Sequence, residues 1–178
     1  FIAGTAVLII AVVGTVFGIV AGYKGGWLDT VIGRATDLLL AFPFLLMALA
    51  LSPVLTQRLT AMGMSAELSR MVYLIIVFAF FGWPYLARLI RGQVLSLRER
   101  EFVVAARALG ATETRVLFRH LVPNLFGPLL VQATTGFGGV ILMEATLSFL
   151  GLGPARAVSW GALLDQGSSV LLRFPHVA

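Results

Sequence analysis

The first 23 residues, "FIAGTAVLIIAVVGTVFGIVAGY" (Phe1–Tyr23), contain no charged side chain. A helix that crosses the hydrocarbon core of a bilayer needs about 20 mostly apolar residues in succession. Three further apolar runs follow, so the sequence predicts spans at about 1–22, 38–56, 71–91 and 124–147. Four such runs in 178 residues leave no amphipathic helices to cover them in water. We therefore predict an all-α, polytopic transmembrane helix bundle that forms a single domain, 1–178.

Residues 1–22 have an alternative interpretation as the apolar core of a signal peptide. A signal peptide has a basic segment before that core and a small-residue cleavage site after it. The sequence has no basic residue before Phe1–Tyr23, and the uncharged run is long for the role. Because the sequence starts inside an apolar run, we expect it to be a piece of a longer chain.

Composition and charge placement support a membrane location. The chain is 59% hydrophobic and 12% charged, whereas soluble domains are closer to half apolar and a quarter charged. It has no cysteine, which excludes disulfides and thiolate metal sites. The net charge of +5 is compatible with nucleic-acid binding, but nine of the thirteen Lys and Arg residues fall in two alternate inter-span regions. That pattern follows the positive-inside rule, so no nucleic-acid partner is predicted.

The rule also assigns sides to the loops. We predict that residues 24–34 and the segment 93–122, here called the charged segment, are cytoplasmic. The loop 58–70 and an external segment, 148–178, then lie on the opposite side. We expect a short helix at Trp160–Gln166 in the external segment. The external segment and the loop 56–69 are the two candidate contact surfaces on that side.

The charged segment has the pattern of two short helices joined at a corner. Glu101 favours the start of the first helix. Gly110 is placed to end it in the left-handed conformation, and Thr112 to cap a second helix from about Glu113. An apolar stripe at helical spacing marks the first helix: Phe102, Ala105, Ala106 and Leu109. The second carries Val116, Leu117, His120 and Leu121 toward Pro123. Such a protrusion suits docking of another protein, and an amphipathic helix lying on lipid headgroups is the alternative.

This pattern resembles the cytoplasmic "EAA" loop of the inner-membrane permease subunits of binding-protein-dependent ABC importers. Ala105 and Ala106 match the two alanines, Gly110 the glycine and Pro123 the proline. Val104 stands where that loop has Glu, and His120 and Val122 replace its Ile and Leu. In order and spacing, "AGYKGGWLDT", "RGQVLSLREREFVVAARALGA", "FRHLVPN", "EATLSFLGLG" and "SWGALL" resemble the dipeptide/oligopeptide/nickel branch, DppC/OppC type.

The resemblance implies the type I ABC importer permease fold, which typically has six spans, of which the four here would be the second to fifth. It implies that the subunit forms half of a translocation pathway for di- or oligopeptides and couples ATPase closure to alternating access. The implied partners are a second permease subunit (DppB/OppB type), two cytoplasmic ATPases that carry ATP and Mg, an extracytoplasmic substrate-binding protein and the lipid bilayer. The implied ATPase-coupling residues are Glu101, Phe102, Ala105, Ala106, Leu109, Gly110 and Pro123.

The residues themselves do not predict an enzyme. The chain has no GxxxxGK[ST] loop for ATP phosphates, and His120 and His176 are too few and too far apart for a metal site. We therefore expect a non-catalytic subunit that binds no cofactor. The alternatives are a channel or scaffold subunit without an ATPase, and a secondary transporter. A secondary transporter usually has internal repeats and paired intramembrane charges, and the sequence shows neither.

Polar residues in the last predicted span are candidates for the substrate path. Gln132 and Thr135 would lie inside the hydrocarbon core, and Glu144 near its outer surface. Helix–helix hydrogen bonding is an equal alternative for Gln132 and Thr135. For Glu144 the alternative is an ordinary interfacial position.

Overall fold

The computed structural model describes residues 1–154 and 159–170, and these contain helices, turns and loops but no strand. The helices in chain order are α1 (Ile2–Lys24), α2 (Gly26–Ala41), α3 (Phe44–Ala61), α4 (Ala66–Leu97), α5 (Glu101–Ala108), α6 (Glu113–Val116), a π-helical turn (Leu117–Leu121), α7 (Val122–Phe149) and α8 (Trp160–Val170). This agrees with the predicted all-α class.

Four helical stretches are long and apolar enough to cross a membrane: Ile2–Lys24, Phe44–Ala61, Ala66–Leu97 and Glu113–Phe149. Each overlaps one of the ranges predicted from the sequence. The second begins later than predicted, because Pro43 follows a break after α2, where Phe42 is extended. Residues 38–41 therefore belong to α2, which the sequence did not predict as a separate helix.

Two other boundaries differ from the prediction. α4 continues to Leu97, so the first residues of the charged segment extend that helix. α8 runs to Val170, beyond the expected end at Gln166. The remaining parts of the external segment, 155–158 and 171–178, which include Arg156, Arg173 and His176, lie outside the described residues.

The chain forms two compact units. Unit A comprises Leu8–Phe42 and Phe80–Thr135, and unit B comprises Phe1–Val7, Pro43–Ala79 and the residues from Gly136 onward. The core of unit A consists of fully buried side chains from α4, α5, α6, the π-turn and α7: Leu86, Ile90, Val94, Val103, Val116, Leu121 and Leu125. Both helices of the charged segment therefore have a side chain in the same core as the spans.

Within unit A, α1 packs closely on α4 through Gly14, Gly18 and Gly22. A Cβ atom at Gly18 would lie 2.7 Å from both the Ala87 carbonyl oxygen and Ile90 Cβ. At Gly14 and Gly22 it would lie 2.8 Å and 2.9 Å from the nearest atoms of α4. Glycine thus lets the two helices approach to a distance that any side chain would prevent. Gly14 and Gly18, four residues apart in the sequence, therefore serve packing within the bundle.

Unit B has its own polar and small-residue contacts. The buried Tyr73 hydroxyl donates to the Ala48 carbonyl at 2.5 Å, which ties α4 to α3. Arg70 donates to the Gly153 carbonyl at 3.1 Å. At Gly161 a Cβ atom would lie 2.0 Å from the Ala145 carbonyl oxygen, so α8 packs directly on the backbone of α7.

Candidate functional site

The corner of the charged segment is built by backbone bonds that end α5. Gly110 has φ of 81°, a left-handed conformation that glycine adopts without steric cost. Gly110 N donates to the Arg107 carbonyl at 2.9 Å, and Ala111 N donates to the Ala106 carbonyl at 3.0 Å. This pair of bonds is the Schellman arrangement, which satisfies carbonyls at a helix C-terminus. The predicted left-handed ending at Gly110 is confirmed.

The second helix starts where the sequence predicts. Thr112 is extended, and its hydroxyl accepts a hydrogen bond from Arg115 N at 3.3 Å. α6 begins at Glu113. A side-chain cap of this kind replaces one of the hydrogen bonds that the first turn of a helix lacks. The predicted Thr112 cap is therefore confirmed.

Each short helix is anchored by one fully buried valine. Val103 of α5 and Val116 of α6 have no exposed surface and lie in the core of unit A. The opposite surface of α5, with the Leu109 that follows it, leaves large apolar side chains uncovered: Phe102, Val104 and Leu109 are 42%, 56% and 89% exposed. Large apolar side chains this exposed are typical of a surface that another molecule covers.

The predicted coupling residues lie mostly on this uncovered surface. Glu101, Phe102, Ala105, Leu109 and Gly110 are exposed, and Ala106 is half-buried. Pro123 is separate from them, because it lies at the start of α7. The helical path does not break at Pro123: it runs from Glu113 through the π-turn to Phe149.

The π-turn joins α6 to α7. Val122 N donates to the Leu117 carbonyl, five residues back. The Asn124 side-chain nitrogen donates to the His120 carbonyl at 2.6 Å. Pro123 has no N–H and so cannot donate a helical hydrogen bond. The Asn124 side chain adds a donor to the His120 carbonyl in the distorted turn.

The charged segment is also connected to the end of α1. The Tyr23 hydroxyl contacts two oxygens of Glu113: a carboxylate oxygen and, at 3.0 Å, the backbone carbonyl. Arg107 Nη2 lies 3.3 Å from the same carboxylate oxygen. Arg98 Nη1 donates to the Gly22 carbonyl at 3.3 Å. The last turn of α1 therefore bonds to α6 and to Arg98, the residue that follows α4, and Glu113 joins it to α5.

α2 is held on α4 by two ion pairs. Arg91 forms a two-point contact with the Asp29 carboxylate, at 2.5 Å and 2.6 Å. Arg88 pairs with Asp37 and also donates to the buried Thr36 hydroxyl at 3.3 Å. These residues line a cavity of about 420 Å³ between α1, α2 and α4, together with Arg34. The hydrogen bonds from Arg91 lower the pKa of the Asp29 carboxyl, against a smaller opposing effect of burial.

The substrate-path candidates fall in different units. Gln132 is half-buried and Thr135 exposed, both in unit A. Glu144 is half-buried in unit B, where it accepts a hydrogen bond from the Ser148 hydroxyl at 2.6 Å. Their role in a substrate path stays a prediction. Among the described residues, no three His, Cys, Asp or Glu side chains are grouped to hold a metal ion.

Sequence reasoning missed Tyr23, Asp29 and Glu113 as contact residues. The available signal was weak: polar side chains at the ends of apolar runs, with Arg88 and Arg91 three residues apart on one helix. Tyr23 and Glu113 are 90 residues apart in the chain, and Asp29 and Arg91 are 62 apart. Pairings at that separation require the tertiary structure.

Residues 14–172 match the family described as binding-protein-dependent transport system inner membrane component. The chain belongs to this family. This match, with the four candidate spans, identifies it as a multi-pass inner-membrane protein. It confirms the resemblance noted in the sequence.

Individual relatives place the chain within the family. It is 40% identical over 163 residues to the dipeptide transport system permease protein DppC of Alkalihalophilus pseudofirmus, covering 91% of this chain and 50% of the relative. It is 38% identical over 176 residues to the oligopeptide transport system permease protein OppC of Bacillus subtilis, covering 98% and 54%. It is 37% identical over 173 residues to the glutathione transport system permease protein GsiD of Pectobacterium atrosepticum, covering 97% and 54%. The chain thus spans about half the length of these curated relatives.

Proposed function

We propose that this chain belongs to a non-catalytic permease subunit of an ATP-driven importer of di- or oligopeptides. The subunit forms half of the pathway and docks a cytoplasmic ATPase through the exposed surface of α5. The partners in this proposal are a second permease subunit, two ATPases that bind ATP and Mg, and an external substrate-binding protein. Support comes from family membership and from relatives named for dipeptide, oligopeptide and glutathione transport.

The observation that carries the docking proposal is the division of α5 into two surfaces. Val103 is fully buried, whereas Phe102, Val104 and Leu109 project outward. A helix that only covered the bundle would bury its large side chains, and one that lay on headgroups would not need the fixed corner at Gly110. An α-helical protrusion held by its own buried valines, with small residues at Ala105 and Ala106, suits a groove on a folded partner.

In this proposal, closure of the two ATPases on ATP moves the charged segment. Because Val103 and Val116 share a core with Ile90, Val94 and Leu125, displacement of the segment carries the adjacent parts of α4 and α7 with it. Closely packed interiors transmit displacement because they do not compress. Alternating access would then follow from movement of the spans.

The docking surface is tested by Ala105→Glu in the importer assembled with its partner subunits. A carboxylate placed on the apolar surface would be desolvated on docking, so we expect the ATPases to be lost during co-purification of the membrane complex. Ala61→Glu is the matched control, since Ala61 is an exposed alanine at the end of α3, on the predicted external side.

Retention of the ATPases by the Ala105→Glu complex, at the level of the Ala61→Glu complex, would contradict docking on α5. If no ATPase co-purifies with the unsubstituted protein either, the result would favour the alternative, a channel or scaffold subunit without an ATPase partner.

A further inference from the structure

We propose that Tyr23 and Glu113 are positioning residues that transmit movement of the charged segment to α1. This inference rests on the proposed function, because it concerns how docking at α5 reaches a span that does not belong to the segment. The residues lie 90 positions apart in the chain and meet in unit A.

Glu113 is the point where three elements connect. Its carboxylate accepts hydrogen bonds from the Tyr23 hydroxyl of α1 and from Arg107 of α5, and its own backbone starts α6. Tyr23 also contacts the Glu113 carbonyl, at 3.0 Å. Because the Tyr23 hydroxyl contacts the backbone as well as the side chain of Glu113, it is coupled to the position of α6 and not only to the conformation of one side chain.

The end of α1 has further contacts that make it respond as a unit. Arg98 holds the Gly22 carbonyl, and Gly22 lies against Arg91 and Val94 of α4. Gly14 and Gly18 continue the same close contact along α1. A displacement applied at Tyr23 therefore acts on a helix whose glycines lie directly against Leu86, Ile90 and Val94 of α4.

Because the Glu113 contact is exposed, the charged segment does not depend on it for folding. The side chains of Glu113 and Arg107 are 66% and 39% exposed, and exposed ion pairs contribute little to stability. The buried valines Val103 and Val116 hold the segment in place without them. Removing the Tyr23 hydroxyl should therefore leave the segment folded while its connection to α1 is weakened.

The experiment follows α1 with a spin label on a single cysteine in the assembled importer. The chain has no native cysteine, and Val16→Cys places the label on an exposed position of α1. The spectrum is compared between the nucleotide-free complex and the complex trapped with Mg, ATP and orthovanadate. No transported substrate is needed. Tyr23→Phe removes only the hydroxyl, and Tyr85→Phe is the matched control, because Tyr85 is 61% exposed on α4 of the same unit.

We expect trapping to change the label spectrum in the protein with both tyrosines and in Tyr85→Phe. In Tyr23→Phe we expect less than half of that change. Glu113→Gln keeps an oxygen acceptor for Tyr23 but loses the charge that attracts Arg107, so an intermediate change is expected. A purely structural role for Tyr23 would alter the nucleotide-free spectrum and the melting temperature, and would not selectively reduce the response to nucleotide.

Equal responses in Tyr23→Phe and Tyr85→Phe would overturn the inference, and so would a label on α1 that does not respond to trapping at all. Either outcome leaves the proposed function intact as long as the ATPases co-purify and Ala105→Glu removes them. Failure of that docking test would instead count against the proposed function.

Discussion

Gly110 is the residue on which the geometry of the charged segment depends. Its φ of 81° lies where L-residues are rarely found, and a Cβ atom there would meet nothing within 4 Å. The cost of substitution therefore arises from the backbone and not from crowding. It is about 1–2 kcal/mol for most residues, less for Asn, and larger for a β-branched side chain.

We expect Gly110→Val to leave the importer assembled but to uncouple ATP hydrolysis from transport, because the corner between α5 and α6 opens. Gly110→Asn should retain coupling, since Asn tolerates the left-handed conformation. The measurement is ATP hydrolysed per molecule of peptide imported into proteoliposomes. Normal coupling in Gly110→Val would show that the angle at this corner is not required.

The Asp29 carboxyl makes the stability of unit A depend on pH. Its folded-state pKa is lowered by Arg91, so the pair stabilises the fold above the unfolded pKa of about 3.9 and loses this contribution as the pH falls through the lower, folded value. The two side chains are 24% and 39% exposed, which limits the contribution to about 1 kcal/mol.

We expect Asp29→Asn to lower the melting temperature in detergent at pH 7. The difference from the unsubstituted protein should persist down to about pH 5 and shrink as the pH falls below the unfolded pKa of about 3.9 and through the lower, folded value. Glu99→Gln removes the same charge from an exposed residue of the charged segment and should have little effect. A difference between Asp29→Asn and the parent that does not change with pH would mean that the ionised carboxylate is not the stabilising species.

Individual residues differ in how far the sequence could reveal their roles. The ending at Gly110 and the cap at Thr112 depend on neighbours within four positions, and both were predicted. The contacts of Tyr23 with Glu113 and of Asp29 with Arg91 depend on the packing of separate helices, and their residue types alone do not select a partner.

At the level of elements, the contact between α1 and α4 depends on close approach of the two backbones. The atoms nearest to a Cβ at Gly18 include the Ala87 carbonyl oxygen, at 2.7 Å, and a backbone atom cannot move aside as a flexible side chain can. Overpacking of this kind typically costs about 1–3 kcal/mol. Gly33 of α2, by contrast, has open space around it.

Alanine substitutions at these two glycines should therefore have opposite effects. Gly18→Ala should lower the melting temperature of the purified protein. Gly33→Ala should raise it slightly, because alanine favours a helix over glycine by up to about 1 kcal/mol. If both variants melt at the same temperature, the close contact of α1 with α4 is not present in solution.

Prediction of the elements succeeded for those with strong periodicity or long apolar runs. The four candidate spans and the two helices of the charged segment follow from local pattern. The separate helix α2 did not, because its apolar end, 38–41, continues into the apolar run of α3 and only Phe42 and Pro43 interrupt it. An apolar run shows that a segment is buried or in lipid, but it does not show where one helix ends and another begins.

For the whole molecule, the distribution of Lys and Arg predicts the orientation in the membrane. Met62 precedes the candidate span Ala66–Leu97, and Thr114 follows it, in the first turn of the helical stretch Glu113–Phe149. The positive-inside rule predicts that the charged segment is cytoplasmic and that the loop 58–70 is external. Both Met62 and Thr114 are exposed.

This orientation can be measured with introduced cysteines. A membrane-impermeant maleimide added to intact spheroplasts should label Met62→Cys at once and label Thr114→Cys only after the membrane is opened. Each variant carries a single cysteine, since the chain has none of its own. Labelling of Thr114→Cys in intact spheroplasts would invert the orientation and remove the charged segment from the reach of a cytoplasmic ATPase.

The wide turn at Leu117–Leu121 sets the rotational phase of α7. Val116 and Leu125 both reach the core of unit A, yet nine residues of uninterrupted α-helix would place them about 180° apart. The extra residue of the π-turn removes about 100° of that rotation, which brings Val116, Leu121 and Leu125 within one quadrant. A helical wheel drawn straight through this region would place Val116 and Leu125 on opposite surfaces, although both lie in the core. Deletion of a single residue here would rotate α7 relative to α6 by about 100°.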